Sequence, residues 1–157
     1  MKMSARSRFY LVSTTLFIIS QTLFASPYPQ QVTELVARAK ARVPTIDMHA
    51  FKHILDQGKY DLILDVREPQ EFAQGHIPNA VNLPRGVVEF KIWPLVGYPD
   101  HTRMDMHIYV YCGTGSRCIL ATQSLRGLGF TQAIAVDLNM EEWEKAGYPV
   151  TEAELNF

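Results

Sequence analysis

The chain has 157 residues, 47% of them hydrophobic and 20% charged, which suits one globular domain with a single core and leaves little room for a second. Its formal charge of −1 conceals an asymmetry, because Lys2, Arg6 and Arg8 crowd the N-terminus while the first acidic residue is Glu34. Without the first 25 residues, and so without those three of its 15 basic groups, it carries 12 basic against 16 acidic groups, a net −4 that disfavours nucleic acid and anionic lipid as partners.

Residues 1–25 read as a signal peptide: a basic start, then 9–24 rich in Leu, Ile, Phe and Val, then Ala25-Ser26 ahead of Pro27. Ser13, Thr14, Thr15, Ser20, Gln21 and Thr22 dilute that run as a membrane span, and Leu23 is bulkier than the small residue usual three places before a cut. The expectation is cleavage near Ala25-Ser26 and export to the periplasm. The alternative is an uncleaved anchor, the one case in which a membrane is a partner.

Residues 26–42 form a linker, with Pro27 and Pro29, and a lead-in helix over 32–42 whose Val32, Leu35, Val36 and Ala39 share a face. The domain proper is expected over 43–150, with 151–157 as a C-terminal tail. Within it a short strand at 45–47 is followed by a helix carrying Phe51, Ile54 and Leu55 that ends at Gly58, then by a strand over 62–66. Pro69 opens a short helix over 69–74 closed by Gly75, and a strand follows over 80–83. A helix over 86–96, a strand over 107–111, a helix beyond Ser116 over 118–128, a strand over 133–136 and a last helix over 140–146 complete the pattern. Strands alternating with helices predict an α/β fold: a parallel five-stranded sheet with helices on both faces. In such sheets ligands bind beyond the carboxyl ends of the strands.

Cys112 falls at such an end, between the run His107-Ile108-Tyr109-Val110-Tyr111 and the loop Gly113-Thr114-Gly115-Ser116-Arg117. A strand end, a glycine-bearing turn and a helix start aim backbone N–H groups and a positive dipole end at one point, which here holds a thiol. That placement predicts a thiolate at neutral pH, a nucleophile or sulfur carrier rather than a buried apolar cysteine. Cys118, in the first helical turn, is expected to face the core rather than to serve as a resolving thiol. Two cysteines six apart at such a junction also argue against a structural disulfide. Asp65 and Arg67, two apart on a strand, lie on one side and can pair at its carboxyl end. His76, between Gly75 and Pro78, reads as a turn residue bonding locally. The remaining histidines are scattered without ligand spacing, so no metal is expected.

The chain resembles the rhodanese family. The resemblance rests on Leu64-Asp65-Val66-Arg67-Glu68-Pro69, on Glu71-Phe72, on Gly75-His76-Ile77-Pro78-Asn79-Ala80-Val81-Asn82-Leu83-Pro84, and on Tyr111-Cys112-Gly113-Thr114-Gly115-Ser116-Arg117, with lesser matches at 125–130, Trp143 and 147–149. It implies a cofactor-free single-domain sulfurtransferase. Cys112 would take a sulfane sulfur from a thiosulfate-type donor, hold it as a persulfide, and pass it to a thiol, a cyanide-like acceptor or a protein acceptor. Gly113, Thr114, Gly115, Ser116 and Arg117 would bind the donor, while Asp65 and Arg67 brace the edge of the site. Two glycines suit a loop closing around one atom, and loop N–H groups would stabilise first the thiolate and then the outer sulfur of the persulfide. Arg117 either adds positive charge for an anionic donor or pairs with a neighbouring carboxylate.

Two departures from the family pattern stand out. Asn79 replaces a common glycine, tolerably, because asparagine accepts left-handed backbone angles. Leu138-Asn139 replaces paired glycines before the last helix and puts the geometry of that turn in question. Two other functions compete: a persulfide carrier or docking module without efficient turnover, and a phosphatase. The phosphatase loop needs five residues between cysteine and arginine, whereas only Gly113 to Ser116 separate Cys112 from Arg117, and the smaller ring suits sulfur.

Overall fold

The computed structural model describes residues 28–152. The expected signal peptide at 1–25 and most of the expected tail lie outside them. Five strands, β1 (Thr45–Asp47), β2 (Leu62–Asp65), β3 (Ala80–Asn82), β4 (Ile108–Tyr111) and β5 (Ala133–Asp137), form one sheet in the order β1-β5-β4-β2-β3. Every pairing is parallel. All four residues of β2 and of β4 are buried, as expected for central strands covered on both faces.

Alternation along the strands builds two cores. Leu62, Leu64, Val66, Ile108, Val110 and Cys112 face one side, where α4 (Val88–Lys91) and α5 (Ser116–Gly127) supply Val88, Cys118, Ala121 and Leu125. Ile63, Tyr109, Tyr111 and Val136 face the other, against Phe51 of α2 (Met48–Gln57) and Met140 and Trp143 of α6 (Met140–Lys145). The lead-in helix α1 (Gln30–Lys40) packs through Val36 and Ala39 on Ile119 and Leu120 of α5.

Helix ends follow local chemistry. The Asp47 side chain caps α2 by accepting from Ala50 N–H at 2.8 Å, and Gly58 closes it at φ +63°. A reciprocal capping box, Glu68 with Glu71, opens α3 (Pro69–Gln74) behind Pro69. Asn79 has φ +65°, the conformation for which asparagine substitutes for glycine.

The expected single helix over 86–96 is instead broken into a 3-10 turn at Arg85–Val87, the short α4, and a second 3-10 turn at Trp93–Val96. Val88, Ile92 and Val96 keep helical spacing and are all buried, which is what made the segment look continuous. Pro94 has no N–H to donate back to the preceding turn, so the chain tightens there and Leu95 N–H bonds to Ile92 at 3.0 Å.

The turn at Leu138-Asn139 is resolved by dividing the work between the two side chains. Leu138 packs in the second core at 4% exposure, and Asn139 caps α6 by accepting from Glu141 N–H at 2.8 Å. Leu138 therefore adds to the second core. Thr151 also belongs to the fold and not to a free tail, since it exchanges backbone hydrogen bonds of 2.9 and 2.8 Å with His76.

Candidate active site

Cys112 is the first residue beyond β4, and the backbone turns there into α5. The Thr114, Gly115 and Cys118 amides, together with the Cys118 thiol, are the groups that stabilise its ionised form. The residue is fully buried, which by itself would hold a thiol neutral. The donors prevail: the Cys118 thiol and then the three amides, against the cost of burial, bring Cys112 down to about 6. Cys118 is driven the opposite way, well above the usual thiol range, chiefly by serving Cys112 as a donor and then by its own burial. Its sulfur also lies 3.0 Å from the Gly115 carbonyl and 3.4 Å from that of Val136. Cys118 thus faces the core, as its helical position predicts, and also supports the thiolate.

The glycines act in two ways. Gly115 sits at φ +84°, and a methyl group built on it would come 2.8 Å from Asp137 Oδ1. Gly113 needs no left-handed angle; its requirement is space, because an added methyl would meet Arg117 Nη2 at 3.3 Å. Its carbonyl accepts from Met140 N–H at 3.1 Å, so the start of α6 holds the loop from behind.

Arg117 does not stand free beside the sulfur. Its Nη1 and Nη2 donate to the two carboxylate oxygens of Glu71 at 2.6 and 2.7 Å, tying the start of α5 to α3. The hydrogen bonds from Arg117 hold the Glu71 carboxyl down at about 2, so the pair persists through the ordinary pH range. Much of the cation's charge is therefore committed, and the sulfur is stabilised mainly by amide and thiol donors. The sequence motif contains Glu71, but nothing in its spacing reveals that it faces Arg117 from 46 residues away.

Asp65 and Arg67 pair as their spacing predicts, and both are buried: Arg67 Nε and Nη2 reach the carboxylate at 2.9 and 2.6 Å. Arg67 Nη2 also donates to the Gly75 carbonyl at 2.7 Å. His76 bonds locally, its Nδ1 lying 3.1 Å from the Phe72 carbonyl while its ring stacks on Phe72. Among the described residues no three of His, Cys, Asp and Glu come together as a ligand set for a metal ion.

The donor arrangement makes a testable pH profile. Single-turnover sulfur loading of Cys112 should rise with pH through a midpoint of about 6 and level off above it, since only the ionised thiol attacks. Cys118→Ser, which retains a donor, should keep most of the activity, whereas Cys118→Ala should move the midpoint upward. An unchanged midpoint in the alanine variant would remove Cys118 from the stabilising set.

Comparison with known proteins identifies the family. The chain matches the family described as the rhodanese-like domain over residues 47–146. It is 37% identical over 91 residues to thiosulfate sulfurtransferase 16 of Arabidopsis thaliana chloroplasts, covering 55% of this chain and 76% of that protein. It is 33% identical over 101 residues to Bacillus subtilis YrkF, named as a candidate sulfur carrier protein, covering 64% of this chain and 51% of YrkF, so it spans about half of that relative's length. The human single-domain sulfurtransferase TSTD1 superposes with a TM-score of 0.55 at 28% identity, over 65% of this chain and 96% of that one. An all-parallel five-stranded sheet, a cysteine cradled where β4 meets α5, and a match over most of the described residues place this chain in the rhodanese-like domain family of sulfurtransferases and sulfur carriers.

Proposed function

We propose that the protein is an exported sulfurtransferase that moves a sulfane sulfur from a thiosulfate-type donor to a thiophilic acceptor through a persulfide on Cys112. The observation that carries this reading is the placement of Cys112 at the junction of β4 and α5, in a tight loop whose Gly115 takes a left-handed angle, with loop amides that favour the ionised sulfur. In the first half-reaction the Cys112 thiolate attacks the outer sulfur of thiosulfate. A sulfur–sulfur bond forms as the original one breaks, and sulfite leaves with the bonding electron pair. The amides that held the thiolate then face the negative outer sulfur of the persulfide, so the same dipoles serve both states without reorganising. In the second half the acceptor, a thiolate or cyanide, attacks that outer sulfur and Cys112 departs as thiolate. No cofactor is consumed, and the protein ends in its starting state.

A second reading, a sulfur carrier that loads without efficient cycling, is favoured by one observation: Arg117 is engaged by both oxygens of Glu71, which weakens its attraction for a dianionic donor. The two readings separate when loading is followed in a single turnover and then in steady state with cyanide. Stoichiometric loading with continued thiocyanate release supports the enzyme, and loading without release supports the carrier.

Export rests on the sequence of residues 1–25. Among the described residues no helix is long and apolar enough to cross a membrane. N-terminal sequencing of exported protein is expected to begin near Ser26; a start at Met1 in a membrane fraction would replace the cleaved signal with an anchor.

A further inference from the structure

The reactive loop borders a cleft of about 430 Å³ whose other wall comes from an element outside the family match, since α1 lies before residue 47. Tyr28, Val32 and Val36 face Thr114, Ser116 and Leu120 across it. Tyr28 and Val32 remain 51% and 39% exposed, so apolar surface is offered to solvent directly beside the loop. The wall is firmly seated. Val36 and Ala39 pack on α5, and Lys40 at the end of α1 bonds Asp137 at 2.5 Å, the same carboxylate that lies against Gly115.

The lining says what the cleft accepts. Its one cation, Arg117, is occupied by Glu71, so the space has no strong attraction for a dianion such as thiosulfate, while three apolar side chains, Val32, Val36 and Leu120, would be covered by an apolar group. Cyanide is too small to touch them.

We infer that α1 is a specificity element, and that its Val32 wall seats the non-reacting body of an organic thiol acceptor that carries an apolar group. This rests on the sulfurtransferase reading and names the class of acceptor within it. The thiolate of such an acceptor attacks the outer sulfur of the Cys112 persulfide, the bond between that sulfur and Cys112 breaks, and the products are the acceptor persulfide and the Cys112 thiolate, with no net oxidation. Burying an apolar body that is carried along to the transition state raises the rate for that acceptor over a polar one of similar acidity.

The test uses the full protein, loaded with thiosulfate and freed of excess donor, and follows discharge of the persulfide by mass spectrometry with three acceptors: benzyl mercaptan, 2-mercaptoethanol and cyanide. The native protein should discharge to benzyl mercaptan on the order of 10-fold faster than to 2-mercaptoethanol. Val32→Gln, neutral and a good helix former at a part-exposed site, should erase most of that preference and leave the cyanide rate unchanged, while Val32→Leu should retain the preference. Equal rates for the two thiols in the native protein, or a loss in Val32→Gln shared equally by all three acceptors, would overturn the inference. So would a change of oligomeric state in Val32→Gln with selectivity intact, which would make the cleft a contact between copies of the chain. Failure of Cys112 to load at all is a different result and refutes the sulfurtransferase reading itself.

Discussion

Replacing Cys112 with serine is expected to abolish sulfur loading. Native protein treated with thiosulfate should gain about 32 Da, the mass of one sulfur atom, and the serine variant should gain nothing. The expected loss is complete because the covalent intermediate itself disappears. A serine hydroxyl is far less acidic than a thiol, so the donors that bring Cys112 to about 6 leave an alcohol un-ionised at neutral pH. The fold should survive the change, because oxygen is smaller than sulfur and the Thr114, Gly115 and Cys118 amides retain an acceptor. Far-ultraviolet circular dichroism should therefore match the native protein. The variant still contains Cys118, but that thiol is pushed well above its usual range, so it offers no substitute nucleophile. Thiocyanate release that persisted in the serine variant would defeat the assignment of Cys112.

The site was legible in the sequence wherever chemistry depends on neighbours along the chain. The strand, the glycine loop and the helix start around Cys112 are contiguous, and periodicity alone places a thiol among N–H donors. The inward orientation of Cys118 follows from its position in the first helical turn, and the Asp65–Arg67 pair from a spacing of two on a strand. What stayed hidden depends on chain segments far apart in sequence. The partner of Arg117 is contributed by α3, the support under Gly113 by the first amide of α6, and the carboxylate against Gly115 by the end of β5. Each is an ordinary residue in its own segment, and only the parallel crossovers bring it to the loop. The segment at 86–96 failed for another reason: buried side chains at helical spacing specify a face, whereas Pro94 decides whether the backbone can stay α-helical across it. Similarly, the face of α1 that carries Val32 was visible as periodicity, but its use as a wall beside the reactive loop required the packing of α1 on α5.

Asp65→Ala is expected to destabilise the fold by about 3–5 kcal/mol, the cost typical of removing one partner from a buried ion pair. Asp65 is completely buried and Arg67 is 6% exposed. The carboxylate accepts from the Arg67 backbone N–H at 2.9 Å as well as from its guanidinium, so the alanine variant leaves a buried cation without a paired carboxylate, holding the Gly75 carbonyl and lying over the Tyr111 ring. Charge screening by solvent cannot relieve this, since little water reaches the group. The consequence extends along the edge of the site: the Asn82 side chain donates to the carbonyls of both Asp65 and Arg67, at 3.1 and 2.9 Å, and Leu83 N–H donates to that of Asp65 at 2.9 Å. The Arg67 side chain in turn packs near Gly113, with its Cδ 3.8 Å from the position a methyl group would take there. Urea unfolding measures the loss, which is a large share of the roughly 5–15 kcal/mol that holds a typical domain folded. The double variant Asp65→Ala, Arg67→Met should recover much of it, because removing both charges ends the desolvation penalty that one alone creates. A single variant that lost less than about 1 kcal/mol, as an exposed pair does, or a double variant no more stable than the single one, would show that the pair does not brace the site in the way its burial implies.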